Sequence, residues 1–141
     1  MILSRFAVGA YVFGALSALV SVAAAAFTSH GLATVAPAAD LAVEWFKIAT
    51  NFQITHAIGM IVVAAISDHL PAGRPRAAMR MGAGLLGAGS FLFPVALYSL
   101  SFAGPSFFAP YGGFAAMAGW IAFAIGAVLA FKAKTYEVKN T

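Results

Sequence analysis

Residues 81–131, MGAGLLGAGSFLFPVALYSLSFAGPSFFAPYGGFAAMAGWIAFAIGAVLAF, contain no Asp, Glu, Lys or Arg. A helix crosses the hydrocarbon core of a bilayer with about 20 apolar residues, so this stretch is too long for a single crossing. Turn-forming residues interrupt it at Gly104-Pro105 and at Pro110-Tyr111-Gly112-Gly113. The stretch therefore predicts two spans, at about residues 81–103 and 113–131.

Two further uncharged stretches, 6–39 and 48–67, precede it. Each is expected to hold one span, at about residues 6–28 and 47–67. In the whole chain of 141 residues, 62% are hydrophobic and 9% are charged, whereas a soluble domain has about 25% charged residues. Lipid must therefore supply much of the solvent. We predict an all-α polytopic membrane protein, in which residues 1–141 form a single integral membrane domain folded as a compact four-transmembrane-helix bundle.

The positive charges predict the orientation. Arg5, the three arginines of the predicted 68–80 loop and the lysines after the last span fall on one side of the membrane, and only Lys47 falls on the other. By the positive-inside rule, both termini and the 68–80 loop are cytoplasmic, and the loops over 30–46 and 104–111 face outward. A secretory signal peptide is the competing interpretation of the N-terminus, but the apolar run is longer than the roughly 7–15 residues of a signal core.

Charged residues recur at helical spacing just before the second span. Asp40, Glu44 and Lys47 lie at i, i+4 and i+7, with Leu41 and Trp45 on another face. This pattern predicts a short outer amphipathic helix at about residues 38–47 that runs into the second span. It is either a solvated extension of that span or a docking surface for a partner protein.

Polar side chains inside the spans are few, and each needs a partner or a purpose in lipid. Gln53 and His56 fall on one narrow stripe of the second span, and Tyr98 and Trp120 lie in the third and fourth. At 1.5 Å per residue, Gln53, Tyr98 and Trp120 lie roughly 8–11 Å below the outer surface, and His56 lies near ~15 Å. Two interpretations remain open: a structural hydrogen-bond network that fixes the helix register, or a small polar pocket for a quinone or lipid head group.

Several chemistries are not expected. The chain has no cysteine, which excludes disulfides and thiolate sites. Bis-histidine haem ligation requires two imidazoles at the same depth, but His30, His56 and His69 lie at different depths. No carboxylate supports a histidine metal site. Neither a catalytic triad nor a phosphate loop is present. We therefore expect neither an enzyme nor a resident cofactor.

Five short runs carry a resemblance: AFTSHGL at 26–32, FQITHA at 52–57, LY at 97–98, PYGG at 110–113 and AGW at 118–120. In this order they resemble the bacterial domain-of-unknown-function family 423, which is similar to a small eukaryotic mitochondrial transmembrane protein. The resemblance implies a four-span bacterial inner-membrane protein and carries no established activity. The family-like residues are His30, Gly31, Gln53, His56, Tyr98, Pro110, Gly112, Gly113, Gly119 and Trp120.

This sequence departs from the family pattern in two places. Phe52 stands where the family usually has Tyr, and Phe93-Pro94-Val95-Ala96 replaces a stretch rich in Ser and Gly. The second departure bears on the shape of the third span, and so on any pocket shared with the family.

Small size and the near absence of an extramembrane part favour a non-catalytic accessory, assembly or stabilising subunit of a larger membrane complex, for example a respiratory one. Its expected partners are the lipid bilayer and either other membrane subunits or further copies of itself, with no nucleic acid. The alternative is a binder of a quinone or lipid head group through Gln53, His56, Tyr98 and Trp120, with His30 at the outer lip. A transporter is a third hypothesis, and it would need an oligomer to form a pathway.

Overall fold

The computed structural model describes residues 3–139, and every regular element in that range is a helix. Four of the helices are long and apolar enough to cross a membrane. The predicted all-α, four-span architecture is therefore confirmed. The helices are α1 (Arg5–His30), α2 (Leu32–Val35), α3 (Ala39–Asp68), α4 (Arg74–Leu100) and α5 (Ala109–Lys139).

The long helices run alternately up and down. At one end of the bundle, the start of α1 is bonded to the end of α3, because Ser4 donates to Asp68 through its backbone N (2.9 Å) and its hydroxyl (2.7 Å). We call this the basic end, since Arg5 and the first turns of α4 lie there. The opposite end carries α2 and the α4–α5 connection.

The amphipathic segment before the second span is part of that span. Residues 39–68 form one continuous helix of 30 residues. At 1.5 Å per residue it is about 45 Å long, against a hydrocarbon core of about 30 Å. The extra turns at the opposite end carry Glu44 and Lys47, which form an exposed ion pair of 3.4 Å.

The predicted loop over 68–80 is wrong for its second half, because α4 begins at Arg74. Pro75 lies in the first turn, where a helix tolerates proline because the amide is unpaired there in any case. Gly73, the residue just before α4, has a φ of +148°, a conformation that favours glycine. Arg76 then donates to the carbonyl oxygens of Ser67 and Asp68, both at 3.2 Å, and so satisfies the free end of α3.

Glycines bring α4 and α5 into close contact. A Cβ atom on Gly89 would lie 2.8 Å from Cβ of Ala116 and 3.0 Å from the carbonyl oxygen of Gly112. A Cβ atom on Gly82 would lie 3.0 Å from the carbonyl oxygen of Gly119. These positions have room only for a hydrogen atom, as expected where lipid gives no hydrophobic force between helices and close backbone packing holds them together.

The apolar interior forms two clusters. The larger lies towards the basic end, around Met60, Val63 and Leu86, and the smaller lies at the opposite end, around Leu32 and Phe46. The outer faces of α1 and α5 instead expose large apolar side chains. Examples from α1 and α5 are Val12, Leu16, Leu19, Ile121, Ile125 and Val128, each at least half exposed. Such faces suit a hydrocarbon solvent.

Candidate functional site

Gln53 joins three helices in the half of the bundle away from the basic end. Its side chain lies on α3, and the residue is 5% exposed. The Tyr98 hydroxyl on α4 donates to Oε1 of Gln53 at 2.8 Å. Nε2 of Gln53 in turn donates to the Ser17 hydroxyl on α1 at 3.3 Å. We call these three residues the Gln53 network.

Neighbouring contacts hold both ends of the Gln53 network in place: a ring contact at Tyr98 and a further hydrogen bond near Ser17. The Tyr98 ring lies against the buried Phe46 ring, with centroids 4.7 Å apart. One turn beyond Ser17 on α1, the Ser21 hydroxyl donates to the carbonyl oxygen of Thr50 at 2.9 Å, which adds a second polar link between α1 and α3. A buried hydrogen bond of this kind stabilises the pairing of two helices modestly and penalises other registers more strongly, because a shift would leave a polar group unpaired in lipid.

His56 lies outside the Gln53 network, in a cluster with Phe52, Phe93 and Trp120 that we call the aromatic group. Its Nδ1 atom is 2.7 Å from the carbonyl oxygen of Phe52, one turn earlier on α3. Because a carbonyl oxygen only accepts, Nδ1 carries the proton. The imidazole stacks on the Phe52 ring with centroids 3.9 Å apart, and the Trp120 centroid is 6.1 Å away. Phe52 also contacts Phe93, with centroids 4.3 Å apart.

Trp120 is partly turned towards lipid. The residue is 40% exposed. Its ring covers Gly59 of α3, where an added Cβ would lie 2.9 Å from the indole Cη2 atom. The glycine is thus the position that lets the indole approach the α3 backbone.

The structure divides the predicted cluster into two groups and one separate residue. Gln53 and Tyr98 are bonded, whereas His56 and Trp120 are neighbours in the aromatic group. His30 is exposed at the end of α1. Gln53 and His56 are separated by three residues, or about 60° around a helix, which directs them to different neighbours. Similar depth therefore does not place the four side chains in one site.

Ser17 is the member of the Gln53 network that sequence reasoning missed. The sequence does contain a signal for Ser17. Ser17 and Ser21 are two serines, four residues apart, in the otherwise apolar middle of α1. Residues four apart share a face of a helix. Two hydroxyls on one face predict contact with another helix rather than with lipid.

The chemistry of these groups is that of neutral hydrogen bonding. The Gln53 amide uses both its oxygen and its nitrogen within the bundle. Among residues 3–139, no group of three or more His, Asp and Glu side chains is placed to hold a metal ion.

A second polar cluster closes the basic end. Asp68 accepts from Ser4 and also from Nη2 of Arg80, which lies 3.1 Å from Oδ1. The side chain of Asp68 is 9% exposed and that of Arg80 is 32% exposed. The guanidinium carbon of Arg80 also lies 5.2 Å from the centre of the Phe6 ring. The cluster therefore ties together the ends of α1, α3 and α4.

Comparison with known proteins identifies the family. The family model described as "Protein of unknown function (DUF423)" matches residues 24–114. The chain belongs to this family. The resemblance read from the sequence is thus confirmed, and the match to the DUF423 model includes α3, α4 and the Gln53–Tyr98 bond.

Two curated relatives support the assignment to DUF423. The UPF0382 membrane protein YwdK of Bacillus subtilis (strain 168) is 32% identical over 120 residues, which is 83% of this chain and 94% of the relative. A UPF0382 membrane protein of Haemophilus influenzae (strain ATCC 51907 / DSM 11121 / KW20 / Rd) is 32% identical over 126 residues, or 86% of this chain and 92% of the relative. No solved structure matches the chain. The relatives, like this chain, are membrane proteins.

Proposed function

We propose that this protein is a non-catalytic accessory subunit that stabilises or helps to assemble a larger membrane complex. One observation carries the proposal: the connections between the described helices are short. The surface that a partner could contact is therefore that of the helical bundle. The α3–α4 connection is residues 69–73 and the α4–α5 connection is residues 101–108. A partner would therefore be bound within or at the edge of the membrane.

The exposed side chains support this proposal. The end of the α4–α5 connection and the start of α5 present Phe107, Tyr111 and Phe114, which are 76%, 66% and 65% exposed. Aromatic residues are frequent both at the membrane interface and at the centre of protein interfaces. Together with the apolar face of α5 they offer a continuous docking surface.

The internal hydrogen bonds also favour this proposal over binding of a quinone at Gln53. A head group there would have to displace either Tyr98 from Oε1 or Ser17 from Nε2, because both amide groups are engaged. Displacement would leave a buried hydroxyl to find another partner, at a cost of about 1–3 kcal/mol. The Gln53 network is thus better suited to holding the helices together.

We also propose that the protein lies in the bacterial inner membrane with both termini in the cytoplasm. The support is the distribution of charge. Arg5, Arg74, Arg76 and Arg80 all belong to the basic end, and basic residues are enriched on the cytoplasmic side of membrane proteins.

Purification of the tagged full-length protein in mild detergent tests the accessory role. Mass spectrometry of the native complex is expected to find a stoichiometric membrane partner, and respiratory complexes are the first class to examine. A homogeneous small oligomer of this chain alone would contradict the proposal.

Matched surface variants sharpen that test. Triple alanine substitution of Phe114, Ile121 and Val128 on α5 is expected to release the partner, while the same change at Val12, Leu16 and Leu19 on α1 serves as the control. Both sets replace exposed apolar side chains, so helicity and melting temperature should be similar in the two variants. Retention of the partner by both would argue against docking through α5.

A further inference from the structure

A groove runs between α1 and α4 on the side of the bundle towards the basic end. It encloses about 590 Å³ and is lined almost wholly by apolar side chains. Ala10 and Ala83 form its walls and Met60 of α3 forms its floor, and these three residues are 8%, 0% and 4% exposed. The groove exists because α1 and α4 both pack on α3 and contact each other far less.

Two glycines keep the groove open. A Cβ atom built on Gly9 or Gly84 would meet no heavy atom within 4 Å in the described part of the chain. Gly87, one turn further along α4, is different, because a Cβ atom there would lie 2.6 Å from Sδ of Met60. Gly9 and Gly84 thus do not serve close helix packing. They leave an apolar space that opens sideways.

The groove is nearly as long as the hydrocarbon part of one membrane leaflet. It begins at Arg5 and ends at Phe13 of α1 and Phe91 of α4. The distance from Arg5 to Phe13 is eight residues, or about 12 Å along the helix. Half the hydrocarbon thickness of a bilayer is about 15 Å. A helix from another protein would need a face along the full thickness of the membrane, whereas an acyl chain from one leaflet needs only this half.

The charge at the mouth indicates the head group. Arg5 is exposed and lines the end of the groove at the basic end. Arg80, on the α4 side of this end, is held by Asp68 and by the Phe6 ring. Basic pockets between transmembrane helices favour anionic lipid head groups.

We propose that this groove binds one anionic phospholipid, with an acyl chain between Gly9 and Gly84 and the phosphate on Arg5. The site is separate from the Gln53 network, and it does not depend on the accessory role. The lipid would fill the space between α1 and α4 and so complete the packing of α1.

Native mass spectrometry of the delipidated full-length protein tests the proposal. The probes are phosphatidylglycerol and phosphatidylcholine with the same acyl chains. The wild type is expected to retain one phosphatidylglycerol per chain and to prefer it over phosphatidylcholine. Arg5→Gln is expected to lower that preference about fivefold, because one basic residue near the surface contributes about that factor. Equal retention of both lipids by the wild type would overturn the proposal.

Variants that fill the groove separate lipid binding from folding. Gly84→Leu and Gly9→Leu place a side chain in the groove from either wall, and each is expected to abolish lipid retention. Gly113→Leu is the matched control, because a Cβ atom there also meets nothing within 4 Å among the described residues, and Gly113 does not line the groove. Circular dichroism identifies any variant that fails to fold, and two independent groove variants keep the test decisive.

Two results would contradict the proposal. Retention of phosphatidylglycerol by folded Gly84→Leu and Gly9→Leu at the wild-type level would show that lipid binds elsewhere. A dimer of the wild type that is lost in both variants would identify a second copy of the chain as the occupant of the groove.

Discussion

The Tyr98 hydroxyl donates across the α3–α4 interface to Oε1 of Gln53, at a distance of 2.8 Å. The phenol is half-buried and the amide is buried. The bond therefore lies in a region where an unpaired polar group finds little water. The bond fixes the axial position of α4 relative to α3.

Tyr98→Phe is expected to destabilise the bundle by about 1 kcal/mol, because it leaves one acceptor of Gln53 unpaired. A double-mutant cycle with Gln53→Leu is expected to give a coupling energy of about 0.6–1.7 kcal/mol. The measurement is unfolding in detergent titrated with dodecyl sulfate. Tyr111→Phe is the control, since Tyr111 is 66% exposed. Additive effects of Tyr98→Phe and Gln53→Leu would show that the bond is not formed.

Gly89→Ala and Gly84→Ala form a matched pair on α4. The first places a Cβ 2.8 Å from Ala116 and forces α5 away, whereas the second meets nothing within 4 Å in the described chain. We expect Gly89→Ala to cost about 1–3 kcal/mol. Gly84→Ala should be neutral or stabilise by up to about 1 kcal/mol, because alanine is the better helix former. Equal melting temperatures for the two variants would contradict the close α4–α5 contact.

Asp68→Asn is expected to lower the melting temperature of the purified protein. The carboxylate accepts from both Ser4 and Arg80, and a neutral amide leaves the Arg80 guanidinium without its ion-pair partner. Glu44→Gln is the control, because Glu44 and Lys47 have side chains that are 66% and 60% exposed and exposed pairs contribute little. A thermal shift assay separates the two, and an unchanged melting temperature in Asp68→Asn would contradict a stabilising role for the cluster.

Single cysteines report the orientation directly, because the chain has none of its own. Ala72→Cys lies in the α3–α4 connection and Ala33→Cys lies on α2, and both positions are exposed. In intact bacteria with a permeabilised outer membrane, an impermeant maleimide is expected to label Ala33→Cys and to spare Ala72→Cys. The reverse pattern would place the basic end outside.

The charge-free stretches were sufficient to predict the number of spans, because in lipid each crossing must be apolar and helical. Helix ends were harder to predict. Arg74–Arg80 is helical although its charges suggest a loop, since basic residues extend a helix beyond the apolar core without penalty. Matched depth placed Gln53 and Tyr98 among the four side chains expected to meet, but it did not single out the bond between these two.

Depth arithmetic could not assign His56 and Trp120 to a site. It contains no information on the direction in which a side chain leaves its helix, and that direction depends on how the helices are rotated against one another. The groove between α1 and α4 was also beyond sequence reasoning. Gly9 and Gly84 look like the other glycines of the chain, and only the positions of neighbouring atoms distinguish open space from close contact.

Each long helix makes its largest contact with the next or the preceding long helix along the chain. Such an arrangement has low contact order, which allows assembly without distant pairings. Synthesis from the N-terminus would let α3 pack on α1, then α4 on α3, with α5 packing last. A nascent chain halted before α5 would expose the glycine face of α4 in the membrane. A chaperone or insertion factor would be needed most at that stage of synthesis.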